Sequence, residues 1–223
     1  MADQGRKNFS DKLADTVTPD SQKSTWDKAS EGVSDTYDKA AGKVQPEEDK
    51  VAMFPHRDEP TDKQITENIR KCVAVAHKVK EEGHHPFGSI LVGPDNSTVL
   101  LEQGNINTLN HAESTLCQIA FERYPQEYLW KCTLYTNFEP CCMCAGSIYW
   151  SNIGRVVYGL SENALLELTG NDKENMTLDL PCRKVFNAGQ KDVQIIGPVG
   201  EELDKTLKSL ILEDHIDFWK NQN

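Results

Sequence analysis

Beyond residue 60, apolar positions follow helical spacing in some segments and form short strand-like runs in others. After Thr61 and up to about Gly83, apolar residues recur every three or four positions, at Ile65, Ile69, Cys72, Val73, Ala76 and Val79. This spacing gives a helix with one apolar face, and Thr61 is a typical N-cap. Residues 88–93 and 98–102 are short apolar runs separated by turn residues, so we predict two strands here.

The same alternation continues to the end of the sequence. Further helices are predicted at residues 111–123, 141–150 and 201–220, and further strands at 132–137, 154–160 and 193–197. Strands that alternate with helices favour a central sheet that is covered on both faces. We therefore predict an α/β fold with three layers, α/β/α, around a central five-stranded mixed sheet.

Residues 1–50 have a different pattern. Their large apolar residues are few, namely Phe9, Leu13, Val17, Trp26, Val33, Tyr37 and Val44. So few cannot bury enough surface to offset chain entropy, and we expect this tail to be disordered on its own. Its helical spacing, broken at Pro19, predicts two amphipathic helices that form on a membrane surface or a partner. Accidental periodicity in a solvated tail is the alternative.

A charged, proline-rich stretch follows the tail and is typical of a linker. We predict a tail at 1–50, a linker at 51–60 and a folded domain at 61–223. The formal net charge is −11, of which −3 falls in residues 1–50 and −8 in the rest. An acidic folded domain argues against tight binding to nucleic acid, because that affinity depends on clustered lysine and arginine.

Seven cysteines, an odd number without a disulfide-framework spacing, indicate free or metal-bound thiols. The first ten residues hold no apolar signal-peptide core, and no apolar run reaches the length of a membrane span. We therefore expect a reducing compartment, namely the cytoplasm, with the nucleus as an alternative.

Two short motifs carry the candidate chemistry: His111-Ala112-Glu113, and Pro140-Cys141-Cys142-Met143-Cys144. Cys141 and Cys144 share one face of a helix, and a helix N-terminus favours the thiolate form that binds metal. With His111 they provide three ligands. A catalytic zinc keeps its fourth position for water, whereas a structural zinc is closed by four protein ligands.

Glu113 lies close enough to the predicted metal to move protons without binding it. Two alternatives use the same cysteines: a redox pair, or a structural zinc closed by Cys142. Adjacent helical residues point about 100° apart, so Cys141 and Cys142 are not expected to reach one metal.

The two motifs together are the signature of zinc-dependent deaminases. Residues 60–223 resemble the cytidine-deaminase-like superfamily and, more narrowly, its branch of guanine deaminases and tRNA adenosine deaminases. The shared residues include Pro86-Phe87-Gly88, Gly104-Asn105, Leu134-Tyr135-Thr136 and Glu139-Pro140-Cys141. The resemblance implies one Zn2+ per chain, hydrolytic deamination of a free nucleobase or nucleoside with release of ammonia, and a homodimer.

The resemblance also implies the substrate-binding residues. Phe87 would pack on the base, Asn105 would bind its ring edge, and the backbone of Ala112 would contact it. Glu139 and Pro140, beside the metal ligands, complete this set. Without the motif, a phenylalanine beside a strand is more often core and an asparagine after glycine is more often a turn residue.

The substrate stays open. His-Ala-Glu with Asn105 and Phe87 favours a guanine-like purine, whereas cytosine deaminases of fungi typically carry His-Gly-Glu. A tRNA adenosine deaminase fits the acidic charge less well. A non-catalytic lipid-binding or partner-binding protein on a deaminase scaffold is a further alternative, which an intact Glu113 disfavours. Phe218 or Trp219 could cover the pocket, or could simply pack.

The tail has a resemblance of its own. Residues 5–7, 19–24 and 41–47 are similar to the N-terminal half of the small fungal heat-shock proteins. That family is hydrophilic, disordered in water and helical on lipid. The resemblance therefore implies a fungal source and contact of residues 1–50 with a membrane surface.

Overall fold

The computed structural model describes residues 57–170 and 175–220. The helix predicted after Thr61 forms as α1, Asp62–Glu81. A capping box starts it, because the Thr61 side chain accepts from the Gln64 N–H while the Gln64 side chain accepts from the Thr61 N–H. Its buried side chains include five of the six predicted apolar positions, Ile65, Ile69, Cys72, Val73 and Ala76.

Five strands and seven further helices follow in the described residues. The strands are β1 (Gly88–Val92), β2 (Val99–Gly104), β3 (Thr133–Phe138), β4 (Arg155–Leu160) and β5 (Gln194–Ile196). The helices are α2 (Ala112–Arg123), α3 (Gln126–Leu129), α4 (Cys142–Ser151), α5 (Glu162–Thr169), α6 (Cys182–Asn187), α7 (Val199–Glu202) and α8 (Lys205–Lys220).

The strands form one mixed sheet in the order β2-β1-β3-β4-β5. β1 runs antiparallel to β2 and to β3, whereas β3, β4 and β5 are parallel to one another. In the parallel core, Leu134 of β3 lies opposite Val156 of β4. The predicted five-stranded mixed sheet is confirmed.

Alternate side chains of the central strands feed two separate cores. On one face, Leu134 and Val156 pack in a core with residues of α2, α4 and α6. On the other face, Tyr135 and Val157 pack with residues of α1 and α8. This period-two alternation places the sheet between two helical layers, so the predicted three-layer α/β/α architecture is confirmed.

The predicted closing helix over 201–220 is wrong in one respect, because it forms as two helices. The chain breaks between α7 and α8 at Leu203 and Asp204. The Asp204 carboxylate accepts from the Thr206 N–H at 2.9 Å and so caps a new helix. The short helices α3, α5 and α6 were not predicted.

The end of the predicted linker packs on the folded domain. The backbone carbonyl of Asp58 accepts from Arg155 and from Asn96, and Pro60 is buried. The predicted tail at 1–50 and residues 51–56 lie outside the described residues. Within 57–170 and 175–220, none of the helices combines the length and apolarity needed to cross a membrane.

Candidate active site

Two helix starts bring the predicted metal ligands together. His111 immediately precedes α2 and Cys141 immediately precedes α4, both with extended backbone. Cys144 is the third residue of α4, so the helix begins one residue later than predicted. Strand β3 leads through Glu139 and Pro140 into Cys141. The metal-binding thiols therefore follow the carboxyl end of a buried parallel strand.

The three ligand atoms are close enough to hold one ion. His111 Nδ1 lies 3.7 Å from the Sγ of Cys141 and 3.5 Å from that of Cys144. All three ligand atoms lie within 4.8 Å of one another. With zinc bond lengths of about 2.0–2.3 Å, tetrahedral geometry places nitrogen and sulfur ligands roughly 3.5 Å apart. The donor set therefore fits zinc.

The orientation of the imidazole also fits. His111 Nε2 lies 3.1 Å from the backbone oxygen of Thr108, so Nε2–H donates to that carbonyl and the Nδ1 lone pair faces the thiols. Among the described residues, this trio is the one cluster of histidine, cysteine and acidic side chains that could hold a metal, and Cys142 is outside it. The closed four-ligand alternative is therefore not supported.

Electrostatics within the cluster favours a cation. A hydrogen bond from Cys144 is the main cause that lowers the pKa of Cys141, and the same contact raises the pKa of Cys144. The hydrogen bond with Cys141 raises the pKa of His111. One thiolate is thus stabilised by the fold itself, and zinc binding must displace the proton that Cys144 retains.

Glu113 lies beside the metal ligands, in the first turn of α2. Its side chain is only 5% exposed. One oxygen, Oε1, accepts from Thr136 Oγ1 at 2.7 Å, and the other, Oε2, accepts from Cys144 Sγ at 3.4 Å. Burial raises the pKa of this carboxyl, opposed in part by the bond from Thr136. A raised pKa makes Glu113 a better proton acceptor, as a proton carrier in catalysis requires.

His111, Cys141 and Glu113 line a cavity of about 370 Å³, with Cys144 buried beside it. Aromatic rings form part of its wall, and polar groups converge on it. Its lining includes His85, Phe87, Phe138, Asn105, Thr108, Glu139, Glu162, Cys142, Met143 and the later residues Met176 and Leu178. The predicted substrate residues Ala112 and Pro140 are buried beside it and are not among its lining residues.

Phe87 and Asn105 are fixed relative to each other. The backbone N–H of Asn105 donates to the Phe87 carbonyl at 2.9 Å, at the edge where β1 and β2 meet. The Phe87 ring packs edge-on against Phe138, with centroids 5.9 Å apart. The Asn105 side chain is 4% exposed. The structure thus brings both predicted substrate residues to the cavity wall.

Glu139 has a positioning role. Its Oε2 accepts from the Glu162 N–H at 3.1 Å and its Oε1 accepts from the Cys182 N–H at 2.9 Å. The carboxylate therefore holds the first turns of α5 and α6 against the end of β3. The contact of Glu139 with substrate stays a prediction. Both oxygens of its carboxylate already accept hydrogen bonds from backbone N–H groups.

The roles of two residues at the site were missed by the sequence reasoning. Thr136 holds Glu113 from the neighbouring strand. Glu162, the first residue of α5, lines the cavity at 8% exposure. Burial, with the charges of Cys141 and Glu113, raises its pKa to about 8. A carboxylate directly after the apolar run of β4 was the available signal, because α/β folds place sites at carboxyl ends of strands.

Phe218 and Trp219 pack instead of lining the cavity. Their rings lie 5.4 Å and 4.8 Å from His85, and Trp219 is buried. Trp219 also donates to His215, whose ring lies 4.9 Å from that of Phe87. Helix α8 therefore supports the aromatic wall of the cavity from behind.

Comparisons with known proteins agree with this site. The family model for the cytidine and deoxycytidylate deaminase zinc-binding region matches residues 62–160. A probable cytosine deaminase of Schizosaccharomyces pombe is 35% identical over 138 residues, which are 60% of this chain and 83% of that protein. A guanine deaminase of Bacillus subtilis is 35% identical over 91 residues, 39% of this chain and 58% of that protein.

The tail matches a separate family. The model for heat shock protein 9/12 matches residues 1–58. The 12 kDa heat shock protein of Saccharomyces cerevisiae is 50% identical over 50 residues, 22% of this chain and 46% of that protein. Both predicted resemblances are thus confirmed. The relatives from two fungi agree with the fungal source that the resemblance of the tail implies.

A solved structure supports the fold. A mutant of NE0047 in complex with 8-azaguanine superposes with a TM-score of 0.52 at 16% identity, covering 67% of this chain and 84% of that one. The fungal relative, the family model and the His111-Cys141-Cys144 cluster agree with one another. The chain therefore belongs to the cytidine and deoxycytidylate deaminase family of zinc-binding enzymes, which hydrolytically deaminate nucleobases or nucleosides.

Proposed function

We propose that this deaminase acts on a free nucleobase, with a guanine-like purine as the first candidate. One observation carries the proposal: Glu113 and two of the metal ligands, His111 and Cys141, line the same cavity as Phe87 and Asn105. A cavity of about 370 Å³ has room for a two-ring base. An aromatic wall with a few convergent polar groups is typical of a site for a small planar ligand.

A zinc ion held by His111, Cys141 and Cys144 would supply Lewis acidity that activates the attacking water. The chain supplies the proton transfers. Glu113 Oε1 is held by Thr136, so Oε2 faces the metal cluster and is the atom that accepts a proton from the attacking water. The same oxygen then delivers protons to a ring nitrogen and to the departing amine, so that ammonia leaves and a carbonyl forms.

The cavity wall binds and orients the base. Phe87 contributes an aromatic ring to the cavity wall, and Asn105 offers both an amide donor and an amide acceptor. Because the backbone N–H of Asn105 is bonded to the Phe87 carbonyl, the backbone positions that carry the two side chains are fixed relative to each other. Preorganised groups of this kind reduce the cost of orienting a substrate.

Cytosine is the second candidate, and a specific observation favours it. The relative named probable cytosine deaminase is matched over 83% of its length, whereas the guanine deaminase is matched over 58%. A pyrimidine would use the same Glu113 and metal cluster. The difference would lie in how the remainder of the cavity is filled.

The test is a panel of guanine, cytosine, adenine, guanosine and cytidine with the zinc-loaded protein, followed by ammonia release. Guanine turnover is expected, and Glu113→Gln serves as the control for contaminating activity. Turnover of cytosine without guanine would replace the first candidate with the second. Turnover of nucleosides alone, or of none of the panel, would refute a free nucleobase as the substrate.

We also propose that the enzyme is a homodimer. The support is an exposed aromatic surface on α2 and α4, where Phe121 is 49% and Trp150 is 74% exposed. A second cavity of about 300 Å³ lies between these two residues. Trp150→Glu should convert a dimer to a monomer in light scattering, and a wild-type protein that is monomeric at micromolar concentration would refute the proposal.

For residues 1–50 we propose contact with a membrane surface, in a protein that otherwise resides in the cytoplasm. The match to the heat shock protein 9/12 family supports this. Circular dichroism of the tail peptide with and without anionic vesicles tests it. A gain in helix is expected, and an unchanged spectrum would refute it.

A further inference from the structure

One buried carboxyl group in the cavity is not used by the proton transfers described above. Glu162 lines the cavity and is 8% exposed. Its backbone N–H donates to Glu139, but within residues 57–170 and 175–220 its carboxylate oxygens make no hydrogen bond. Buried polar side chains almost always have a partner, and because Glu162 lines the cavity, a ligand bound there can supply one.

The position of Glu162 is fixed by its neighbours. Ser161 caps α5 through a bond from the Ala164 N–H, and the backbone and hydroxyl of Ser161 both donate to Glu201. The Glu139 carboxylate accepts from the Glu162 N–H at 3.1 Å. The side chain therefore leaves a rigid helix start, and ordering it on binding costs little.

The surroundings decide what kind of partner fits. The charges of Cys141, Glu113 and Glu139 all act against an additional anion near Glu162. A metal is not the partner, because Glu162 is outside the one metal-binding cluster found among the described residues. A hydrogen-bond donor on a neutral ligand fits, since a carboxyl group keeps an acceptor oxygen whether or not it is protonated.

Resting on the proposed nucleobase substrate, we propose that Glu162 is a substrate-recognition residue that accepts a hydrogen bond from a ring N–H of the base. The amino group to be removed must face Glu113 and the metal ligands. The remaining N–H groups of a nucleobase are then on its ring: one in cytosine, and one on each ring in guanine. An acceptor in the cavity wall would select a base that presents such an N–H.

The experiment compares Glu162→Met, which keeps length and loses the acceptor, with Glu162→Gln, which keeps an acceptor oxygen. With the base that the wild-type enzyme turns over, Glu162→Met should raise KM about 10- to 100-fold, since a buried donor of the ligand is left unpaired. Its kcat should change less than about threefold, because the bond is present before the chemical step. Glu162→Gln should recover most of the loss.

Ring-N-methylated analogues of the same base identify the contact. Methylation at the contacted nitrogen should weaken the wild-type enzyme as much as Glu162→Met does, and should weaken the variant little further. Equal penalties in wild type and variant for every methyl analogue would overturn the proposal, because the two groups would then not be coupled. Zinc content and circular dichroism of both variants show that they fold.

The two proposals can fail separately. A wild-type enzyme that turns over no free base would refute the proposed function. A wild-type enzyme that does so, with an unchanged KM in Glu162→Met or with a fall in kcat alone, would refute the role of Glu162. Calorimetric titration with the deaminated product adds a reading that does not depend on turnover, and unchanged affinity in Glu162→Met would also overturn the role.

Discussion

The hydroxyl of Thr136 donates to Oε1 of Glu113 at 2.7 Å, inside the protein and across the boundary between β3 and α2. This single bond fixes which carboxylate oxygen is available to the cavity. Oε2 remains on the side of Cys144, 3.4 Å away. The strand thus aims the proton carrier of the site, while the helix starts carry the metal ligands.

Removal of the Thr136 hydroxyl should impair turnover without loss of metal. Thr136→Val keeps the shape of the side chain but leaves Glu113 without its donor, and hydrogen bonds to charged groups contribute about 1.5–3 kcal/mol. We expect kcat to fall about 10- to 100-fold, with zinc content unchanged. Thr136→Ser is the matched control, because it keeps the hydroxyl. A Thr136→Val enzyme with wild-type kcat would show that this bond does not aim Glu113.

Glu113→Gln should retain zinc and lose nearly all turnover. The amide keeps the size of the carboxylate, and its oxygen can still accept a hydrogen bond from Thr136. It cannot accept a proton from water. General acid–base catalysis typically contributes about 10²- to 10⁴-fold, so kcat should fall by that range. Metal analysis beside the ammonia assay separates the two effects. Wild-type turnover, or loss of zinc from the variant, would contradict the assigned role.

The neighbouring cysteines should differ sharply in metal binding. Cys144→Ala removes a ligand, and its zinc affinity should fall by more than about 100-fold, since loss of a second-shell partner alone typically costs 10–100-fold. Cys142→Ala changes a side chain that lines the cavity but lies outside the cluster, and it should keep one zinc per chain. Metal competition with a chelator measures both. Equal zinc loss in the two variants would return Cys142 to the ligand set.

Local patterns were sufficient to predict the layers of the fold. The apolar spacing of α1 and the strand runs of β1 and β4 reflect burial on one or both sides, which periodicity records directly. The boundary between α7 and α8 was missed because apolar spacing continues through it, with Leu203 and Leu207 on either side. The stop depends on the Asp204 side chain bonding to a backbone N–H, a competition that spacing does not record.

The metal ligands were predictable because their order along the chain is itself a signature. The contacts of Thr136 and Glu162 were not predictable, although the position of Glu162 after β4 carried a signal. Each contact joins residues 23 positions apart, Thr136 to Glu113 and Glu162 to Glu139. Sequence alone also cannot tell that the Glu139 carboxylate is occupied by two helix starts. Such contacts are set when separate elements pack, after local structure has formed.

Deletion of residues 1–56 should leave turnover unchanged, whereas deletion of 1–60 should destabilise the enzyme. Within residues 57–170 and 175–220, those that line the cavity all lie at position 85 or later. The longer deletion removes Arg57, whose guanidinium lies 4.7 Å from the Trp130 ring centroid, and the Asp58 carbonyl that accepts from Arg155. Thermal unfolding and kcat of the two truncations test this. Loss of activity on removal of 1–56 would mean that the tail contributes to the site.

Acid should destabilise the folded domain through His215. This imidazole is fully buried in α8, its Nδ1 accepts from Trp219 Nε1 at 3.3 Å, and burial lowers its pKa to about 3. An unfolded histidine takes up a proton below about pH 6.5, whereas the folded one stays neutral until about pH 3. Between those values the unfolded state binds more protons, so stability falls as pH falls. From pH 7 to pH 5 this group alone should cost about 2 kcal/mol.

Urea unfolding of the zinc-loaded protein at pH 7 and pH 5, compared with His215→Gln, isolates that contribution. The amide of glutamine can still accept from Trp219 but does not titrate in this range. The other titrating groups, including the metal ligands, are common to both proteins and cancel in the difference between them. The variant should therefore be less stable at pH 7 but lose about 2 kcal/mol less than wild type on going to pH 5. An identical pH dependence would mean that the folded protein admits a proton to His215, and hence that α8 opens from the aromatic wall of the cavity well above pH 3.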